Sequence, residues 1–343
     1  MSLALGYRLC VPVILIVTRL PNSAMDSEVN SAHIDAAAHR IAAHVRETPL
    51  WVMPSTALEL PWASGDTPAF EVWLKLEQLQ VSGSFKARGM FNRLLANTIP
   101  SAGVIAASGG NAGIATAVAA RALGVPAEIY VPSIISKGKR DRLAGLGAQV
   151  VIGGDAYGDA LAACIERQRA SGALMTHAYD QPEVVAGAGT LAREIEAQRG
   201  APDQVLVSVG GGGLVSGIAA WFAGRSEVVA LEPELAPTLH RAREAGAPVD
   251  VQVAGVAADA LGARRIGSIA WHITQQHVAQ SMLLGDAAIT EAQRWMWSAL
   301  KLAVEPAAAL PLAALRSGLV RPRAGAKVCL VVCGANLDPA SLA

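Results

Sequence analysis

The pattern of apolar and polar positions predicts strands that alternate with helices along most of the chain. Residues 72–76 alternate as a strand does, and residues 87–96 carry apolar side chains at helical spacing. From Val104 onward the alternation becomes regular. The predicted strands occupy Val104–Ala107, Ala127–Val131, Gln149–Ile152 and residues 174–177, and the predicted helices occupy residues 112–123, 137–146 and 158–170. Strands and helices that alternate through short turns form parallel sheets.

A second series of strands and helices begins after residue 182. Its predicted helices occupy residues 187–198, 214–223, 291–302 and 307–315, and its predicted strands occupy residues 205–209, 228–232 and 328–333. A helix at residues 26–46 and an extended segment at 48–54 precede both series. We therefore predict an α/β fold of two doubly wound domains with mostly parallel sheets. The larger domain comprises residues 25–77 and 180–343, the smaller domain comprises residues 78–179, and a cleft separates them.

Composition narrows the classes of partner. Of the 343 residues, 52% are hydrophobic and 16% are charged, which predicts a large buried core. Lysine plus arginine and aspartate plus glutamate balance at 28 each, so the charge does not favour nucleic acid or an anionic membrane surface. Four cysteines in a chain of this size do not indicate a disulfide scaffold, and no zinc-binding spacing is present. We expect the partner to be a small molecule or another copy of the chain.

Residues 1–24 differ from the rest of the chain. An apolar run lies between Arg8 and Arg19, but it is far too short to span a membrane and makes a poor signal peptide. Met25 begins a polar helical pattern. We therefore expect residues 1–24 to be an extension outside the fold, and the protein to be cytoplasmic.

Lys86 lies between the predicted strand at residues 72–76 and the helix at residues 87–96. One interpretation is a solvated lysine near a helix N-terminus, where its charge opposes the helix dipole. The other is a desolvated lysine with a lowered pKa, which forms a Schiff base with a carbonyl compound. The rest of the chain decides between the two.

Two glycine-rich segments join predicted strands to predicted helices. Residues 210–213 are four consecutive glycines, which are typical either of a flexible linker or of a loop whose N–H groups surround a phosphate. The strand and helix that bracket them favour the phosphate loop. Residues 107–113 form either an anion site at a helix start, with Asn111 as an additional polar group, or a tight turn that Asn111 caps.

Cys333 is the last residue of the last predicted strand, either as a small buried hydrophobe or as a polarisable atom at a ligand site. An imine-forming lysine, a phosphate loop, an amide and a polarisable atom match the parts of pyridoxal 5′-phosphate. Residues 82–336 resemble the serine/threonine dehydratase family of fold type II pyridoxal-phosphate enzymes, which have a tryptophan synthase β-like fold. The segments that carry the resemblance, in the family's order and spacing, are residues 84–89, 108–113, 210–214, 304–307 and 332–334. The cysteine at 333 resembles the serine dehydratase branch.

The resemblance implies roles for individual residues. Lys86 is the Schiff-base lysine, Phe85 packs near the cofactor ring, and Asn111 binds the ring hydroxyl. The phosphate is bound by Gly210, Gly211, Gly212 and Gly213, and the substrate carboxylate by Ser108, Gly109, Gly110, Asn111, Ala112 and Gly113. Ala258 faces the other side of the ring, and Cys333 faces the pyridine nitrogen. Glu232, with the Ala236 carbonyl, either binds potassium (K+) or is a surface acid.

The implied reaction is α,β-elimination of L-serine or L-threonine to pyruvate or 2-oxobutyrate and ammonia, by a homodimer with a catabolic role. Gly109 stands where the similar serine racemases carry a proton-donating serine, so racemisation is expected to be weak. The alternatives are elimination from hydroxyaspartate, β-replacement on an activated serine, and, more remotely, cofactor binding without turnover.

Overall fold

A computed structural model describes residues 29–63, 69–338 and 340. The strands are β1 (Leu50–Pro54), β2 (Glu71–Lys75), β3 (Val104–Ala107), β4 (Ala127–Val131), β5 (Gln149–Ile152), β6 (Leu174–Met175), β7 (Gln204–Ser208), β8 (Glu227–Pro233), β9 (Val278–Leu284) and β10 (Lys327–Val331). The helices are α1 (Ser31–Ile41), α2 (Lys86–Leu95), α3 (Asn111–Ala122), α4 (Lys137–Gly145), α5 (Tyr157–Ser171), α6 (Pro182–Arg199), α7 (Gly213–Phe222), α8 (Thr238–Ala245), α9 (Ser268–His277), α10 (Asp286–Leu300) and α11 (Pro306–Arg316). Short 3₁₀ helices occupy Ser55–Leu58 and Glu77–Leu79. The extension predicted at residues 1–24 lies outside the described residues.

Two sheets organise the fold. The first has six strands in the order β1-β2-β10-β7-β8-β9, and the second has four in the order β5-β4-β3-β6. Only β1 runs antiparallel to its neighbour, and the other pairs are parallel. The predicted fold class, α/β with mostly parallel sheets, is therefore confirmed. Every residue of β3 is buried, as expected of a strand covered by helices on both faces. Within the described ranges, no helix is long and apolar enough to cross a membrane.

Helix α2, which begins at Lys86, packs unusually closely on α6. A Cβ atom added to Gly187 of α6 would lie 2.5 Å from the backbone oxygen of Arg88 and 2.7 Å from the Cα atom of Gly89. Such an approach of two backbones requires glycine at both positions. The glycines therefore fix the depth at which α2 sits, and with it the position of Lys86.

A buried cluster of charges also ties α2 to α6. Arg88 is fully buried and binds Glu77 through two bonds, Nε to Oε2 at 2.8 Å and Nη2 to Oε1 at 2.7 Å. Glu194 of α6 accepts from Arg88 Nη2 at 3.0 Å and from Lys75 Nζ at 2.6 Å. Two cations and two anions balance in the cluster, so each buried charge has a partner.

The structure differs from the prediction at three elements after residue 232. Strand β9 and helices α8 and α9 were not predicted. The N-terminal N–H groups of α9 bind a distant residue, because Asp180 accepts from Ser268 N and from Ile269 N, both at 3.0 Å. A cap 88 residues earlier in the chain leaves no local sequence signal.

Candidate active site

A pocket opens at the carboxyl ends of β7 and β10, beside the N-termini of α2, α3 and α7. Ligands of open parallel sheets bind at this edge. The pocket is lined by Phe85, Lys86, Asn111, Tyr179, Ser208, Gly210, Gly211, Gly212, Gly213, Leu214, Ala260, Leu261, Glu305, Ala307 and Cys333. The lysine, the amide, the four glycines and the cysteine identified from the sequence thus share one pocket.

Lys86 is the first residue of α2 and projects into this pocket. Its Nζ atom donates to the backbone oxygen of Ala178 at 2.6 Å and lies 4.9 Å from the centroid of the Phe85 ring. Burial lowers the pKa of Lys86 to about 8, although nearby Cys333 opposes the shift. A lysine with such a pKa is neutral far more often than a solvated one. The structure therefore favours the nucleophile over the solvated surface lysine.

The four glycines form a loop between β7 and α7. Gly212 has a φ of +89°, in the left-handed region that favours glycine, and a Cβ atom on Gly211 would overlap the ring of Tyr179. Among the described residues, no group accepts a hydrogen bond from the N–H of Gly210, Gly211 or Gly212. Unpartnered N–H groups beside a helix N-terminus suit a phosphate group. The loop therefore fits the phosphate of pyridoxal 5′-phosphate.

The segment Ser108 to Gly113 lies at the carboxyl end of β3, where α3 begins. Gly110 N donates to Ser108 Oγ at 3.3 Å, and a Cβ on Gly113 would overlap the Ser108 carbonyl. A Cβ on Gly109 would lie 2.7 Å from Cδ1 of Ile135, so this apolar side chain fills the space beside Gly109. The segment has the geometry of a helix N-terminus that can accept an anion. Its role in binding a substrate carboxylate stays a prediction.

Cys333 lies two residues beyond β10, and its carbonyl accepts from Phe85 N at 3.0 Å. This bond places the thiol beside Lys86. Burial raises the pKa of Cys333 well above its usual range, and neighbouring Glu305 adds to the effect. The side chain is therefore a neutral thiol at physiological pH.

The predicted contact between Ala258 and the cofactor ring stays a prediction. Two other residues of the same segment, Ala260 and Leu261, line the pocket. The segment turns on itself, with Ala258 N bonded to Gly255 O at 3.2 Å and Ala260 N bonded to Ala257 O at 3.2 Å. These turns bring Ala260, two residues further on, to the pocket wall.

Sequence reasoning also missed three residues. Tyr179 lies against Gly211, and Glu305 accepts from Asn111 Nδ2 at 2.8 and 3.0 Å. Asn336 donates from its backbone to Glu305 at 2.7 Å and from its side chain to Asn111 Oδ1 at 2.5 Å. Glu305 lies in one of the segments that carry the family resemblance, and Asn336 lies two residues after another. The residues next to them in the sequence did not indicate what either side chain contacts.

Glu232 accepts four hydrogen bonds from the protein. Leu239 N and His240 N, at the start of α8, donate at 2.7 and 2.8 Å, and the hydroxyls of Thr238 and Ser281 each donate at 3.1 Å. Burial raises the pKa of Glu232, and these donors oppose the shift. The carboxylate is buried and caps α8, so it is not a surface acid. Over the described ranges, no three or more His, Cys, Asp or Glu side chains cluster as metal ligands.

Comparisons with known proteins agree with the chemistry of the pocket. The family model of pyridoxal-phosphate dependent enzymes matches residues 41–334. Phenylserine dehydratase from Ralstonia pickettii is 34% identical over 310 residues, which cover 89% of this chain and 92% of that protein. L-threonine ammonia-lyase from Thermotoga maritima is 30% identical over 292 residues, which cover 84% of this chain and 72% of that protein.

A solved structure is also similar. Maize serine racemase superposes with a TM-score of 0.83 at 29% identity, covering 92% of this chain and 95% of that one. The family match spans all the segments that line the pocket, including the glycine loop whose N–H groups suit a phosphate. The chain therefore belongs to the pyridoxal-phosphate dependent enzymes of fold type II.

Proposed function

We propose that this protein eliminates water and ammonia from L-serine or L-threonine, giving pyruvate or 2-oxobutyrate. One observation carries the proposal: three groups line the same pocket. They are the amine of Lys86, with a pKa of about 8, the glycine loop with its unpartnered N–H groups, and the neutral thiol of Cys333. These groups match the carbonyl, the phosphate and the ring nitrogen of pyridoxal 5′-phosphate. The relatives named above act on β-hydroxy amino acids, according to their names, which supports the substrate class.

The pocket residues divide the binding between them. The N–H groups from Gly210 to Gly213 hold the phosphate, Asn111 donates to the ring hydroxyl, and Phe85 packs beside the ring. The segment from Ser108 to Gly113 receives the substrate carboxylate at the start of α3. These assignments rest on the resemblance, and the geometry of each group supports them.

When bound, the cofactor supplies an electron-accepting ring that stabilises negative charge at the substrate Cα. Nζ of Lys86 removes the Cα proton as a general base, which its lowered pKa favours near neutral pH. The electron pair left at Cα then forms a double bond to Cβ as the Cβ–O bond breaks. The β-hydroxyl takes up one proton and leaves as water, which balances the proton that Lys86 removed from Cα. Hydrolysis of the remaining enamine releases the oxo acid and ammonia.

The neutral thiol of Cys333 favours elimination over transamination. A carboxylate at this position would keep the ring nitrogen protonated, whereas a thiol whose pKa is raised by burial carries no charge to do so. A bound ring without that proton would store less negative charge, which would favour departure of the charge at Cα through the Cβ–O bond.

The charges of the pocket favour a substrate with a neutral side chain. Of the described residues that line it, Lys86 is the only cation, and Glu305 is an acid. A second substrate carboxylate, as in hydroxyaspartate, would lack a partner and would approach Glu305. A larger aromatic substrate is the second candidate, since the similarity to a phenylserine dehydratase extends over 89% of this chain.

The test is an absorbance spectrum of the purified protein with pyridoxal 5′-phosphate, before and after addition of L-serine, L-threonine, phenylserine or hydroxyaspartate. Oxo acid and ammonia are measured in the same samples. We expect a visible band that Lys86→Ala abolishes, and oxo acid from serine or threonine. A band without oxo acid from any of the four would refute the elimination and leave β-replacement or binding without turnover.

Three narrower expectations stay predictions. Gel filtration tests the homodimer, and fractionation of the native host tests the cytoplasmic location. Comparison of potassium with choline chloride in the assay tests the cation at Glu232. The four protein donors to its carboxylate satisfy Glu232 without an ion, so potassium forms no part of the proposed mechanism.

A further inference from the structure

Asn336 lies at the centre of a hydrogen-bonded chain that reaches the pocket. Its Nδ2 atom donates to Ser82 O at 3.0 Å and to Asn111 Oδ1 at 2.5 Å. Its Oδ1 atom accepts from Nη2 of Arg142, on α4, at 2.6 Å. Its backbone N–H donates to Glu305 at 2.7 Å. Every polar atom of this side chain therefore has a partner.

The partners fix which end of the Asn336 amide faces which way. A backbone carbonyl such as that of Ser82 can only accept, and an arginine such as Arg142 can only donate. The nitrogen of Asn336 must therefore lie toward Ser82 and the oxygen toward Arg142. Gly83 makes room for this arrangement, because a Cβ atom there would overlap Oδ1 of Asn336.

The fixed amide of Asn336 then determines the orientation of Asn111. Because Asn336 presents N–H to Asn111, it binds the oxygen of that amide, and the Asn111 nitrogen is turned the other way. There Nδ2 donates to the carboxylate of Glu305 at 2.8 and 3.0 Å. An amide nitrogen carries two N–H groups, so one can hold Glu305 while the other serves a ligand.

We propose that Asn336 is a positioning residue that keeps Asn111 presenting an N–H donor, rather than an oxygen, to the ring hydroxyl of the cofactor. The inference rests on the proposed function only in requiring that the cofactor binds. A donor at this point stabilises the anionic form of the ring oxygen and lowers the pKa of the Lys86-linked cofactor. An Asn111 amide turned by half a rotation would present oxygen and lose this effect.

The test is a double-mutant cycle on the holoenzyme, with the pKa of the Lys86-linked cofactor read from its visible band. The four proteins are the wild type, Asn336→Ala, Asn111→Ala and the double variant. We expect Asn336→Ala to raise this pKa by about one unit, and by much less in the Asn111→Ala background. Equal shifts in the two backgrounds, or no shift in either, would overturn the proposal.

Asn336→Asp provides a second cycle that does not depend on the alanine variant folding. The aspartate keeps the shape of the side chain but has no N–H group to donate to Asn111. Its effect through Asn111 is the difference between the pKa shift in the wild-type protein and the pKa shift in the Asn111→Ala protein. The shift that persists in the Asn111→Ala background reports the added charge alone. A shift that is the same in both backgrounds would overturn the proposal.

Arg142→Ala is the matched control, because it removes the bond at the opposite end of the Asn336 amide and leaves Nδ2 on Ser82. We expect any shift from this variant to be unchanged by Asn111→Ala. Coupling to Asn111 as strong as that of Asn336→Ala would support the positioning role and show that Arg142 is needed to keep Nδ2 of Asn336 toward Asn111. A wild-type protein without the visible band would instead refute the cofactor assignment, which separates the two failures.

Discussion

Nζ of Lys86 lies 2.6 Å from the backbone oxygen of Ala178, which belongs to the segment between β6 and α6. The first residue of α2 is thereby tied to the chain that leads out of the four-stranded sheet. A carbonyl acceptor favours the charged amine, yet burial lowers the pKa of Lys86 to about 8. The amine is thus oriented by a hydrogen bond and still ready to lose its proton.

The first prediction concerns the pH dependence of cofactor binding. Only the neutral amine of Lys86 attacks the cofactor aldehyde, and with a pKa of about 8 roughly a tenth is neutral at pH 7. The rate of reconstitution of the apoenzyme should therefore rise with pH and level off above about 8. Stopped-flow absorbance between pH 6 and 10 measures it. A rate that still rises steeply at pH 10 would show that Lys86 titrates as an ordinary lysine.

The second prediction compares two arginines on α2. Arg88→Leu leaves Glu77 buried beside an apolar side chain, so we expect a loss of about 3–5 kcal/mol in the free energy of unfolding. Arg93→Leu breaks a pair with Glu183 in which both side chains are partly exposed, and should lose about 1 kcal/mol or less. Urea unfolding followed by circular dichroism measures both. Equal losses would show that burial of the Arg88 pair does not matter.

The third prediction tests the glycine loop. A Cβ at Gly211 would overlap the ring of Tyr179, so Gly211→Ala must displace that ring. Overpacking of this kind costs about 1–3 kcal/mol, and we expect cofactor affinity to fall at least about tenfold. Titration with pyridoxal 5′-phosphate measures the affinity.

Gly145→Ala is the control for the loop, because no atom lies within 4 Å of a Cβ built at that position on α4. Its affinity for the cofactor should stay within about twofold of the wild type, since an alanine in a helix without new contacts perturbs nothing nearby. A similar loss of affinity in both variants would mean that any added methyl group weakens binding.

The sequence was enough to predict the elements and loops that residues adjacent in the chain determine. Strands β3, β4 and β5 were predicted to the residue, because each is a short apolar run bounded by turn residues. Lys86 and the glycine loop were identified because strand, loop and helix follow one another directly in the chain. The segment at residues 107–113, at the start of α3, was singled out as an anion site or a tight turn for the same reason.

Contacts between distant segments were not predictable in this way. Asn336 and Asn111 are 225 positions apart, and only the meeting of the segments that follow β10 and β3 brings them together. Helix α8 likewise begins on Glu232, whose side chain the sequence indicated as a cation ligand or a surface acid. One glutamate can bind an ion, cap a helix or face solvent, and only its surroundings determine which.

The last prediction uses the space beside Gly109. In Gly109→Ser the new Cβ would lie 2.7 Å from Cδ1 of Ile135, so that side chain must shift. We expect kcat/KM for elimination from L-serine to fall about tenfold. Removing Cδ1 with Ile135→Val makes room for the serine, so the double variant should recover most of the loss.

The double variant should also form D-serine, because its hydroxyl can return a proton to Cα on the face opposite Lys86, as implied for the similar racemases. Chiral chromatography of the reaction mixture measures this product, with Ile135→Val alone as the control. Ile135→Val should form no D-serine, since it adds no proton donor. D-serine from the control, or none from the double variant despite recovered elimination, would show that position 109 does not face the substrate Cα. Loss of elimination in the double variant would instead show that the clash at Gly109 involves more than Cδ1 of Ile135.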